Sequence, residues 1–157
     1  PKITMSPDGK SIYVADRLGF VHIFPRDEGT GRISTEVNAI SVPRASKIVL
    51  HPLYPTAYVI SAGVFNSVNS SVYGFNVDSE NNDLLPSGSE ISIGGLGYIA
   101  AIVEQSGNSL FYVGAGVNAT LKQLYIQQES RTLFNLTTVP VPGGWVRSVA
   151  SLQLLKQ

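Results

Sequence analysis

The sequence predicts an all-β chain built of four-stranded antiparallel β-propeller blades, because one supersecondary unit recurs along it. Three times a tight polar turn precedes an apolar run ending in Tyr-Val: Ser6 to Val14, His51 to Val59 and Ser106 to Val113. Tyr13 to Tyr58 is 45 residues and Tyr58 to Tyr112 is 54, the first within and the second just above the roughly 40 to 50 residues of a propeller blade. The runs between these turns alternate with period two, and no window of a dozen residues holds helical periodicity better.

In the first unit, Ile3 and Met5, then Ile12 and Val14, then Val21 and Ile23, then Ile33 and Val37 mark four short strands. Pro7-Asp8-Gly9, Arg17-Leu18-Gly19 and Asp27-Glu28-Gly29-Thr30-Gly31 separate them. Pro presets φ and Gly tolerates a positive one, so Pro-Asp-Gly is a turn with a mechanism. The second unit places strands at Lys47 to Leu50, Ala57 to Ser61, Ser71 to Val77 and Glu90 to Ile93. The third places them at Ile99 to Glu104, Leu110 to Val113, Leu121 to Gln127 and Leu133 to Val139. Their β-branched and aromatic content suits strands. The chain is thus expected to be a single propeller segment over 1–157, divided into blades 1–40, 41–93 and 94–140 and the start of another at 141–157.

Three blades are fewer than the 4 to 8 that close a ring, so the expectation is a partial arc. The sequence begins at Pro1 and enters a strand at once, and it ends in another over Val146 to Leu152. Both ends are expected to fall inside the repeat, as in a piece of a longer ring. Assembly of several copies is the alternative, so the remaining blades would come from the same or another chain.

Eleven Lys and Arg balance eleven Asp and Glu, so no net field favours nucleic acid or an anionic membrane. No apolar run is long enough for a membrane span. Charged residues are 14% against about 25% in ordinary soluble domains, while Ser, Thr and Asn abound; this composition suits an extracellular, secreted protein, with a cytoplasmic one the alternative. Zero Cys excludes disulfides and thiolate metal sites. With no Walker loop, Gly-x-Ser-x-Gly elbow or metal-ligand cluster, neither a metal nor a cofactor is expected.

Ser6-Pro7-Asp8-Gly9-Lys10-Ser11-Ile12-Tyr13-Val14-Ala15-Asp16, followed by Val21-His22-Ile23-Phe24 and Asp27-Glu28-Gly29-Thr30-Gly31-Arg32-Ile33, resembles the repeat of lactonase-type seven-bladed propellers. That family includes bacterial 6-phosphogluconolactonase and fungal carboxy-cis,cis-muconate cyclase. Pro43-Arg44-Ala45-Ser46-Lys47-Ile48-Val49-Leu50-His51-Pro52 matches its innermost-strand element, so the resemblance covers nearly the whole chain. It implies an arc of a seven-bladed ring and a small carboxylated lactone, or its open-chain form, as ligand. Units two and three depart from the motif: Pro52-Leu53-Tyr54-Pro55 and Gln105-Ser106-Gly107-Asn108 replace the Pro-Asp-Gly turn, and Ser61 and Gly114 replace Asp16.

Ligands of propellers bind on the face that carries the second-to-third-strand and blade-to-blade connections. Here that face should collect Asp16-Arg17, Ser41 to Ala45, Ser61 to Ser70, Gly94 to Tyr98, Gly114 to Thr120 and Pro142 to Arg147. Arg44 is the foremost substrate-binding candidate, because it matches the family's Pro-Arg, which the resemblance implies holds substrate carboxylates. Guanidinium grips a carboxylate bidentately and stays charged; a loop-anchoring role is the alternative. Arg147 is a second candidate, Trp145 a channel-lining one with packing as its alternative, and Asp16 a polar one that could instead cap a turn. His51, His22 and Glu104 are expected to be structural. No general acid or base stands out, so the catalytic residues are left unassigned.

Asn69-Ser70-Ser71, Asn118-Ala119-Thr120 and Asn135-Leu136-Thr137 are N-glycosylation acceptors. Glycans at Asn69 or Asn118 would crowd a small-molecule pocket on the same face. Two functions therefore stand at the level of sequence: a lactonase-like or lactonizing-cyclase-like enzyme, or a non-catalytic secreted or cell-surface propeller that binds a protein or glycan ligand.

Overall fold

The chain, seen in a computed structural model, is described over residues 2–16, 18–35, 37–63, 70–94, 99–114 and 120–141. Its strands are β1 (Lys2–Met5), β2 (Ser11–Ala15), β3 (Phe20–Pro25), β4 (Asn38–Ser41), β5 (Ala45–Leu50), β6 (Thr56–Ser61), β7 (Ser71–Val77), β8 (Leu84–Ser92), β9 (Ile99–Val103), β10 (Ser109–Gly114), β11 (Thr120–Ile126) and β12 (Leu133–Pro140). They form three four-stranded antiparallel sheets in sequence order, β1 to β4, β5 to β8 and β9 to β12. The first strand of the middle sheet, β5, touches both β1 and β9, and the last strands β8 and β12 meet. The first strands therefore form an inner rank and the fourth strands an outer one, as in propeller blades.

Alternation of side chains sends successive residues of each strand to opposite sheet faces, and each face that meets a neighbour is apolar. Tyr13, Ala15, Val21 and Ile23 of the first sheet pack on Ile48, Val59, Phe75 and Leu84 of the second. Val49, Tyr58, Ile60 and Val72 on the other face of the second sheet pack on Leu110, Tyr112, Leu124 and Ile126 of the third. Each such large side chain contributes about 1.5–3 kcal/mol when fully buried. The two seams are what orders the sheets.

A polar latch crosses each seam. In every sheet the third and fourth strands are joined by the same turn: Gly31 N–H donates to Asp27 O at 2.8 Å, Asn82 N–H to Asp78 O at 3.0 Å and Arg131 N–H to Gln127 O at 2.7 Å. Gly31, Asn82 and Arg131 all take positive φ, of 71°, 61° and 56°. The buried Tyr13 hydroxyl donates to the Asn82 carbonyl at 2.9 Å, and the Tyr58 hydroxyl donates to the Arg131 carbonyl at 3.2 Å. Burial pushes both phenols well above their ordinary pKa, so they remain donors.

The third Tyr-Val is not equivalent to the other two. The first-to-second-strand turn closes with Ser6 N–H on Ser11 O, His51 N–H on Thr56 O and Glu104 N–H on Ser109 O. Phe111 is therefore the counterpart of Tyr13 and Tyr58, and Tyr112 falls one residue later. A one-residue slip sends a side chain to the opposite face; Tyr112 accordingly faces the second sheet and donates to Ile93 O at 3.1 Å.

Two strands also differ from expectation. The fourth strand of the first sheet is Asn38–Ser41 instead of the Ile33 to Val37 region, because the Asp27 turn leaves Ile33 only an isolated bridge to Arg26 and pairing resumes at Asn38 opposite Ile23. The fourth strand of the second sheet begins at Leu84 instead of Glu90. A bulge opposite Tyr73 and Phe75 lets it run past Pro86 and Gly88.

Candidate functional site

Three connections converge on the face that the sequence marks for ligands. Val42 N–H donates to Gly19 O at 2.9 Å, Ala62 N–H donates to Arg44 O at 3.2 Å, and the Ser61 hydroxyl donates to Pro43 O at 2.5 Å. The Val42–Arg44 linker is thereby fixed from both sides. Gly19 sits at φ 106°, a backbone conformation that favours glycine, whereas a Cβ there would meet Val42 O and Arg44 N only at ordinary contact distances of 3.7 and 3.8 Å.

Arg44 is exposed at the turn into β5 and takes φ 53°. A left-handed arginine costs local energy and is held there by its surroundings. The carbonyl is tied to Ala62, so the backbone is fixed while the guanidinium stays on the surface. Lys47 lies further along β5 and Lys2 on the adjacent strand β1. Burial and the like charge of Lys2 lower the Lys47 pKa. Among the described residues no carboxylate lies within ion-pairing distance of Arg44, Lys47 or Lys2.

Asp16 lies at the end of β2 and caps the turn into β3. Its Oδ1 accepts from Gly19 N–H at 3.1 Å and Phe20 N–H at 3.0 Å, and its Oδ2 meets His22 Nε2 at 2.8 Å. The His22 hydrogen bond, helped by these backbone donors, holds the carboxyl below its ordinary value. Sequence reading missed this pairing, although the hairpin register, Val14 opposite His22 and Ala15 opposite Val21, brings the two together. Lys122 was missed as well. Its ammonium donates to Ile93 O at 2.7 Å and lies 5.7 Å from the Tyr112 ring centroid, which pins the second blade-to-blade linker.

Arg147, Trp145, Asn69 and Asn118 lie outside the described residues. Asn135 is on β12, opposite Leu124 and beside the bulge at Gln123 and Leu124.

His51 lies on the opposite face and is 1% exposed. Its Nδ1 accepts from Leu53 N–H at 3.1 Å and Tyr54 N–H at 3.2 Å, which leaves the proton on Nε2 to be donated to Gly107 O at 3.0 Å. Burial lowers its pKa, so the ring is a neutral staple between the second and third sheets. That face also carries a cavity of about 310 Å³, lined by Asp8, His51, Tyr54, Pro55 and Asp78 among others. It is far in the topology from Arg44, being formed by the first-to-second and third-to-fourth-strand turns.

No protein-family profile matches the chain, and no curated protein matches it. Solved structures do. A Bacteroides fragilis protein provisionally assigned as a 6-phosphogluconolactonase superposes with a TM-score of 0.73 at 19% identity, over 89% of this chain and 38% of that one. The periplasmic gluconolactonase of Pseudomonas aeruginosa gives 0.71 at 18% identity, over 92% and 40%. Hydrazine synthase of Kuenenia stuttgartiensis gives 0.61 at 15%, over 91% and 43%. The chain thus has a lactonase-like propeller fold and spans about two fifths of the length of the structures it matches. That the same superposition extends to hydrazine synthase shows that the fold alone does not name a reaction.

Proposed function

We propose that this arc of a lactonase-like propeller contributes Arg44 to a site for a small carboxylated lactone or its open-chain form. The observation that carries the reading is Arg44, exposed on a fixed turn at the entry to β5, with the like-charged pair Lys47 and Lys2 on β5 and the adjacent β1; none of the three meets a carboxylate among the described residues. Two like charges held close destabilise one another, and an incoming carboxylate relieves that repulsion. Arg44 supplies the fork that orients it. Ring opening also needs a proton donor or acceptor and stabilisation of developing charge, and these groups are not assigned.

The test is Arg44→Ala in the whole protein, with carboxylated lactones as substrates. Turnover is lost while the melting temperature moves by no more than a few degrees, because the side chain is exposed and alanine adopts the same left-handed backbone no more easily. Turnover that survives removes the role from Arg44. Absence of lactone opening in the wild type, with glycan mass at Asn69, Asn118 or Asn135, favours instead a secreted or cell-surface binding propeller.

A further inference from the structure

The cavity of about 310 Å³ on the face opposite Arg44 takes no part in the Arg44 site. It opens in the first seam and is framed by the turns that join β1 to β2, β5 to β6 and β7 to β8, all among the described residues. Its lining is largely apolar, through Leu50, Pro52, Pro55 and Val77, and holds two carboxylates, Asp8 and Asp78, but no Lys or Arg. Asp8 Oδ1 accepts from the Ser6 hydroxyl at 2.6 Å and Lys10 N–H at 3.0 Å, and its Oδ2 from the Asn82 amide at 3.2 Å. Asp78 Oδ1 accepts from Glu80 N–H at 2.8 Å and Asn81 N–H at 3.3 Å, and its Oδ2 accepts from no described residue. Thr56 lines the same cavity; it is 3% exposed, and its hydroxyl has no partner among the described residues.

The second seam shows what such a place takes. There the turn from β11 to β12 sends the Arg131 guanidinium over the Tyr54 ring, 4.8 Å from its centroid. The first seam holds neutral Asn82 at the counterpart of Arg131, and Asp78 at the counterpart of neutral Gln127, as the shared turn fixes them. It therefore gains a carboxylate and lacks the chain's own cation.

We propose that this cavity binds a small organic cation, an ammonium or guanidinium on an apolar stem, with its charge on Asp8 and Asp78. The volume lies at the lower end of the roughly 300–1,000 Å³ of small-molecule pockets, which fits a short stem. The apolar lining takes the stem by burial, and the two carboxylates accept its charged N–H donors. The Thr56 hydroxyl, costly while unpaired, is a further acceptor. Lys10 acts on Asp8 from the same turn but does not line the cavity, so an incoming cation displaces no resident one.

Calorimetric titration of the full chain with butylguanidinium and with its neutral isostere butylurea tests this. Butylguanidinium binds about ten-fold or more tightly than butylurea, the difference a charge-assisted hydrogen bond makes. Asp8→Asn with Asp78→Asn erases that preference and leaves the turns in place, since each asparagine Oδ1 still accepts the same donors. Asn82→Arg supplies the missing cation from the chain, at a backbone φ of 61° that Arg131 matches with 56°, and abolishes butylguanidinium binding. Equal affinity for the two ligands, no binding of either, or a preference that the double asparagine variant leaves intact overturns the proposal. So does butylguanidinium binding that survives Asn82→Arg in a chain that melts as the wild type does.

Discussion

His51 shows what a single side chain does in this fold. Both of its nitrogens are committed, Nδ1 accepting two backbone N–H groups and Nε2 donating to Gly107 O. Protonation would turn two acceptances into clashes between donors. Its folded pKa lies below the ordinary 6.5, so the unfolded chain binds the proton first and stability falls as pH drops below about 6.5 towards the folded value. Thermal melts on either side of that pH should show the wild type losing melting temperature, and His51→Gln should flatten the difference. Asp16 acts in the opposite range. Its depressed pKa means that its contribution is present above the ordinary 3.8 and is lost as pH falls through the lower folded value. Asp16→Asn should lower the wild-type melting temperature at neutral pH and weaken its acid dependence below 3.8; an unchanged melt would show that the turn holds without the carboxylate.

At the scale of elements, the turns and the latches govern how sheets join. Gly107 takes φ 75°, and a Cβ there would collide with the His51 ring, whereas Gly88 takes φ 77° with nothing within 4 Å. Gly88→Ala should cost about 1–2 kcal/mol for the left-handed backbone alone. Gly107→Ala should cost that and a further 1–3 kcal/mol, roughly, for overpacking the seam. Equal losses in denaturant melts would mean that His51 yields freely. The Tyr58 hydroxyl should contribute about 1 kcal/mol through Arg131 O, read as the loss in Tyr58→Phe.

The strands themselves were legible in the sequence because alternation and Pro-Asp-Gly chemistry are local signals. The slip at Phe111 and Tyr112 was not, since Tyr-Val reads the same whichever face the tyrosine takes and the face is set by where the preceding turn closes. Of the candidate site, Arg44 could be placed on its face from the repeat. The closeness of Lys2 and Lys47 could not be read, because they come together only when β1 and β5 lie side by side.

On the scale of the whole molecule, three sheets joined by two apolar seams present the Arg44 turn on the face that carries the blade-to-blade connections. The seams order the sheets; under the proposed function, Arg44 sets the sign of the ligand that its face would receive. An exposed guanidinium that meets no carboxylate among the described residues is free to take one bidentately, which is why a carboxylate is the proposed ligand. The most direct measurement is titration of the whole protein with a lactone carrying a free carboxylate and with its neutral methyl ester, in wild type and Arg44→Ala. The account predicts that the wild type prefers the carboxylate by about ten-fold or more, as a charge-assisted pair of roughly 1.5–3 kcal/mol requires, and that Arg44→Ala erases the preference. Equal affinity for acid and ester in the wild type, or a preference that Arg44→Ala leaves intact, would contradict it.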